Sequence, residues 1–147
     1  MDRQVCDGLL AEIAAVRRQV FVELNDVTEA EFDLPGTLLR PWMWDTLRLL
    51  LLQIGNHMRE HATHIQGTRA LLGRLPTQPQ RMLAEAEIAR GTFLAATVGL
   101  TDDDLDVVPP DGGWTLRRIL EHVRNSEEDY LEAIRRARSI AHEATEG

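Results

Sequence analysis

The chain has 147 residues, 44% of them hydrophobic, and a formal charge of −8 from 16 basic and 24 acidic side chains. A chain of that length needs no covalent staples, since one domain of this size buries roughly two thirds of its unfolded surface. The acidic surplus excludes the basic face that nucleic acid requires and argues against adhesion to anionic membranes.

The single cysteine, Cys6, allows no disulfide within one chain and fits a reducing, cytoplasmic setting. Its place in an apolar helical segment predicts a small buried side chain. The opening "MDRQVCDGLL" carries charges and no long apolar run, so it does not read as a signal peptide. The most apolar run, "LRLLLLQI", is far short of the ~20 residues that span a bilayer. A soluble cytoplasmic protein is expected.

Four segments carry helical periodicity, in chain order. In the first, Val5, Leu9, Ile13, Val16, Val20 and Leu24 recur at steps of three and four. The second is expected to start near Pro41 and runs through Trp44, Leu47, Leu51, Ile54, Met58, His61, Ile65 and Leu72, with Gly73 as its stop. The third starts near Pro79 and shows Met82, Ala86, Ala89, Phe93 and Ala96. The fourth follows "DGG" and shows Leu116, Leu120, Val123, Glu127, Tyr130, Ile134 and Ala137. No segment alternates with period two, so an all-α four-helix bundle is predicted, over residues 1–143, with a disordered tail at 144–147.

The two long connectors resemble each other. "VTEAEFDLP...WDTLR" matches "LTDDDLDVVPPDGGWTLRR" in its threonine, acidic run, apolar residue, proline, tryptophan and "TLR". Thr28 and Thr101 are 73 apart, Thr46 and Thr115 are 69 apart, so the first connector is longer by 73 − 69 = 4 residues. This spacing predicts two helix-loop-helix halves related by an internal pseudo-twofold.

Three of the five histidines, His57, His61 and His64, lie within eight positions of the second segment. At 100° per residue they fall within an arc of about 60°, with His61 on the apolar stripe beside Ile54, Met58 and Ile65. An inward imidazole must be paired or must bind something. His57 and His61, at i and i+4, have the spacing that lets two imidazoles meet one ion; His61 with His64, or Glu60 with His64, are geometric substitutes. The alternative is an ordinary polar helix surface. In the fourth segment His122 sits at the edge of the apolar stripe, and the stripe passes through Glu127. An inward carboxylate there is a ligand, an acceptor for an imidazole N–H, a general base, or the partner of Arg48 or Arg59. Gly55 and Gly67, each costing roughly 1 kcal/mol in mid-helix, point to close approach by another helix or a bound molecule. His142 takes no role.

The segment "GGWTLRRILEHVRNSEEDYLEAI" resembles the DinB/YfiT-like superfamily, in which Gly-Trp-Ser/Thr opens a helix and a histidine follows eight residues after the tryptophan; here these are Trp114 and His122. "HMREHATHI" resembles the second signature of that family, with His57, Glu60 and His61, then His64 where the family often has glutamine. The resemblance runs over essentially the whole chain. It implies a pseudo-twofold four-helix bundle in which His122, His57 and His61 hold a divalent metal such as zinc, nickel or iron. In most members the Gly-Trp-Ser/Thr helix precedes the paired-histidine helix, whereas here the order is reversed. The family includes metal-dependent S-transferases that use low-molecular-weight thiols such as bacillithiol or mycothiol, mycothiol-dependent isomerases, and many members with no known activity.

Two functional readings follow. The first is a metal-dependent enzyme, a thiol S-transferase or hydrolase acting on a small-molecule substrate, with His64 as a further candidate ligand and Glu127 and Glu60 as candidate catalytic carboxylates. The alternative is a metal-free helical protein that binds a small apolar ligand or serves in a stress response. Leu47, Leu49, Leu50, Leu51 and Leu52 surround the whole circumference of the second helix, which one core cannot cover. A homodimer through that helix is expected, unless the "TEAEFDLPG" connector covers the outward leucines.

Overall fold

The computed structural model describes residues 3–35 and 46–146, with side chains to residue 141. Five α-helices appear in the order α1 (Gln4–Leu24), α2 (Glu29–Phe32), α3 (Leu47–Leu71), α4 (Gln78–Ala95) and α5 (Leu116–Glu146), with a 3-10 turn at Asp102–Asp104. Among the described residues there is no strand, as the missing period-two pattern predicts for an all-α fold. The long α1, α3, α4 and α5 are the four predicted segments, and α2 is a single extra turn inside the first connector. Pro41 and Trp44, expected to open the second helix, lie outside the described residues. The backbone of α5 runs on as helix to Glu146.

Local chemistry accounts for the helix ends. Thr46 caps α3 by accepting the Leu49 N–H on its hydroxyl at 3.3 Å. Thr77 caps α4 reciprocally: Gln80 N–H donates to the Thr77 hydroxyl at 3.4 Å, and Thr77 N–H donates to Gln80 Oε1 at 3.0 Å. Pro79 occupies the first turn of α4, where its missing N–H costs nothing. The predicted stop at Gly73 takes φ +63°, with Gly73 N–H bonded to the Ala70 carbonyl at 3.0 Å and Arg74 N–H to the Arg69 carbonyl at 2.8 Å. These two bonds close a Schellman motif, which only a residue tolerant of positive φ completes without strain.

The chain divides into two units, Met1–Gly99 and Leu100–Gly147. In the first, α2 lies against α3, and the Asn25 side chain at the end of α1 accepts the Gly99 N–H at 3.2 Å. In the second, α5 follows the 3-10 turn, and Arg117 N–H donates to the Leu105 carbonyl at 2.9 Å. None of the described residues is fully buried. The stripe of α1 stays open at Leu9, Ile13 and Val16, with 56%, 56% and 59% of their surfaces exposed. Cys6, expected to be buried on that stripe, is likewise exposed among the described residues.

The resemblance between the connectors is reproduced in local geometry. Thr28 N–H and hydroxyl both donate to Glu31 Oε2, at 2.9 and 2.6 Å. Thr101 N–H and hydroxyl both donate to Asp104 Oδ2 at 2.8 Å. Arg48 then forks onto Asp33, Nε to Oδ1 at 2.6 Å and Nη2 to Oδ2 at 2.7 Å. Arg117 forks onto Asp106 in the same way, at 2.7 and 2.8 Å. In both halves the threonine precedes the aspartate by five residues and the arginine belongs to "TLR". Each connector is therefore tied back to the helix it introduces by a bidentate charge-assisted pair.

Candidate metal centre

The histidines of α3 form a file along one face of the helix. His57 Nε2 and His61 Nε2 are 3.0 Å apart, with ring centroids at 4.3 Å and planes at 81°. His61 Nδ1 and His64 Nδ1 are 3.2 Å apart, with centroids at 5.2 Å and planes at 64°. His61 thus uses both ring nitrogens, one toward each neighbour. The helical spacings of four and three create this, since both offsets bring side chains together on one helix face.

The expectation that His61 points into a core is corrected: all three imidazoles are exposed. Their nitrogens satisfy one another, so the cluster does not need burial. The flanking Met58 and Ile65 are also open, at 57% and 61% exposure. Gly55 and Gly67 do not mark close contacts. Among the described residues, a Cβ on Gly55 would meet only the Arg59 guanidinium, at 3.6 Å, and one on Gly67 would meet nothing within 4 Å.

The nitrogen spacing tests whether the pair suits an ion. Two nitrogens bound at about 2.0–2.1 Å to one zinc stand roughly 2.8–3.4 Å apart for coordination angles between about 90° and 110°. The 3.0 Å between His57 Nε2 and His61 Nε2 fits that separation. Imidazole donors suit zinc, nickel and iron. Among the described residues no group of three or more His, Cys, Asp or Glu side chains converges to hold an ion, so α3 offers a two-nitrogen pair.

In the second unit, Thr115 opens α5 by accepting the Arg118 N–H on its hydroxyl at 3.3 Å. Trp114, just before it, turns along the first two turns of the helix. The indole meets the His122 ring edge-on, with centroids at 5.1 Å and planes at 80°, and carries the Arg118 guanidinium 4.4 Å above its centre. The eight-residue offset from tryptophan to histidine brings the two rings into edge-on contact on one face of α5. The sequence contains Arg118, but periodicity gave no reason to single it out; its position four after Trp114, at cation–π spacing, is the usable signal.

Glu127, expected to point inward, is exposed on α5. It lines a shallow surface depression with Arg124, Tyr130, Leu131 and Ile134. No other helix of its unit lies over that face. The arginines considered as its partners are otherwise engaged, Arg48 with Asp33 at 2.6 Å and Arg59 with the Asn56 side chain at 2.7 Å. Glu60 on α3 is exposed as well, and among the described residues neither carboxylate has an ion-pair partner.

The charge shifts lie in the connectors. The Arg48 guanidinium beside Asp33, and Arg117 beside Asp106, hold those carboxyls below the usual carboxylate range through their hydrogen bonds. Both arginines are correspondingly raised. Glu31 is lowered by bonds from the Thr28 hydroxyl and N–H, and Asp104 by bonds from the Thr101 N–H and hydroxyl.

Gly-Trp-Thr opens a helix here and brings an indole against a histidine on that helix. The family model of the DinB superfamily matches residues 85–146. The matched residues take in the second half of α4 and all of α5, with Trp114, His122 and Glu127; they do not reach the histidines of α3. No curated protein and no solved structure matches the chain. No described helix is long and apolar enough to cross a membrane.

Proposed function

We propose that the chain is a metal-dependent enzyme of the DinB-like superfamily, a thiol S-transferase or hydrolase, with His57, His61 and His122 as metal ligands. The observation that carries the reading is the 3.0 Å separation of His57 Nε2 and His61 Nε2, which suits two nitrogens on one ion. The family match over the helix that bears His122 supports the third ligand. Zinc, nickel or iron suits this donor set, and three protein ligands leave a position open. A metal there would supply a Lewis acid that lowers the pKa of a thiol or water at that position.

The protein's own groups would do the rest. Trp114 restricts the swing of His122, so that little rotamer freedom is lost when the ring is used. Glu127 and Glu60 carry no competing cation among the described residues, which leaves either carboxylate available to accept the proton of the incoming thiol or water. A low-molecular-weight thiol is the proposed co-substrate. The working form is proposed to be a cytoplasmic homodimer through α3, supported by Leu49 and Leu52, which remain 45% and 61% exposed although α2 lies against α3.

The test is metal content by mass spectrometry of protein purified without a nickel column, followed by calorimetric titration with zinc and nickel. One equivalent of bound ion, lost in His61→Ala, is expected. Absence of any first-row metal both as purified and on addition would leave a metal-free ligand-binding protein as the reading.

A further inference from the structure

The three imidazoles of α3 are joined in one file by ring-nitrogen contacts of 3.0 and 3.2 Å, and this fixes more than their proximity. Each contact needs one proton between its two nitrogens. A neutral imidazole has one N–H and one bare nitrogen, so His61 can donate to only one neighbour and must accept from the other. Two proton arrangements satisfy both contacts. In one, His57 donates from Nε2 to His61, and His61 donates from Nδ1 to His64. In the other, His64 donates from Nδ1 to His61, and His61 donates from Nε2 to His57.

The arrangements differ in intrinsic cost. An unconstrained histidine side chain prefers its proton on Nε2. The first arrangement puts only His61 in the less favoured Nδ1–H form, while His57 and His64 keep Nε2–H. The second puts both His57 and His64 in the less favoured form. The first is therefore favoured, and in it His61 Nε2 is bare and faces His57.

We propose that His64 is a positioning residue: by accepting the Nδ1 proton of His61, it sets the tautomer in which His61 Nε2 carries no proton, so that only His57 must shift its proton to Nδ1 for both Nε2 atoms to ligate. This deepens the metal-centre reading and its ligating purpose rests on it, but the tautomer itself belongs to the metal-free protein. It also removes His64 from the ligand set, because its Nδ1 is committed to His61. An acceptor behind a ligating imidazole is the usual means of fixing ring orientation.

Long-range proton–nitrogen NMR of metal-free, nitrogen-15-labelled protein, above the imidazole titration range, reads the tautomer of each histidine. His61 is expected mainly as Nδ1–H in the wild type. In His64→Ala the two remaining arrangements of the His57–His61 pair cost the same, so His61 should become a mixture of both forms. His64→Glu, an acceptor-only side chain, should restore the Nδ1–H form. A His61 that is Nε2–H in the wild type, or unchanged in His64→Ala, overturns the proposal. Zinc titration adds a second readout. His64→Ala should weaken binding about 10- to 100-fold, as loss of a supporting acceptor does, whereas His61→Ala should abolish it. Equal loss in the two variants overturns the proposal by making His64 a ligand. If the wild type binds no metal but the tautomer shifts as described, the hydrogen-bond assignment stands and the metal reading falls.

Discussion

Thr77 and Gly67 show how single residues set helix stability. Thr77 satisfies an N–H at the start of α4 that no helical carbonyl can reach. Thr77→Ala is expected to lower unfolding stability by about 1 kcal/mol, measured by urea denaturation followed by circular dichroism. Gly67 is mid-helix in α3 with open space around its missing Cβ. Gly67→Ala is expected to raise stability by about 1 kcal/mol in the same assay, and a loss would show that something packs against that position. The candidate ligands were legible at this scale because their spacing alone brings the rings together: i, i+4 and i+3 place His57, His61 and His64 in one file. Exposure of His61 and Glu127 was not legible. A stripe in the sequence says that a face is apolar on average, and not which neighbour covers it.

At the scale of elements, the four long helices were readable because each repeats its apolar positions at threes and fours and has explicit end signals, Thr77 and Pro79 at one end and Gly73 at another. The short α2 was hidden, since four residues carry no period; its signal is the Thr28–Glu31 capping box alone. The connector repeat was visible as words, "TLR" and an acidic run, but its physical content, a bidentate Asp–Arg fork in each half, needs the side-chain geometry. Those forks predict an acid response. Asp33 and Asp106 have folded-state pKa values below their unfolded ones, so their contribution is present above the unfolded carboxylate value and is lost as pH falls through the lower folded value. The melting temperature should therefore fall as pH drops below about 4. In Asp33→Asn with Asp106→Asn that decline should be shallower and the neutral-pH melting temperature lower. Because the pairs are exposed, added salt should narrow the difference. An unchanged acid profile in the double variant would mean the forks do not couple to folding.

For the whole molecule, the proposed dimer through α3 predicts association in solution. Light scattering is expected to give a dimer at micromolar concentration, and Leu52→Arg a monomer; a monomeric wild type would exclude the dimer. The family signature around Trp114 and His122 lies in the matched residues 85–146, whereas His57 and His61 lie outside them. The proposed pairing of His57 and His61 on one ion is tested most directly by the zinc affinity of His57→Ala by calorimetry, with helix content monitored by circular dichroism. Unchanged helix content and binding weakened by more than about a hundredfold, beyond what loss of a supporting residue produces, are expected. Binding equal to that of the wild type would contradict the pairing.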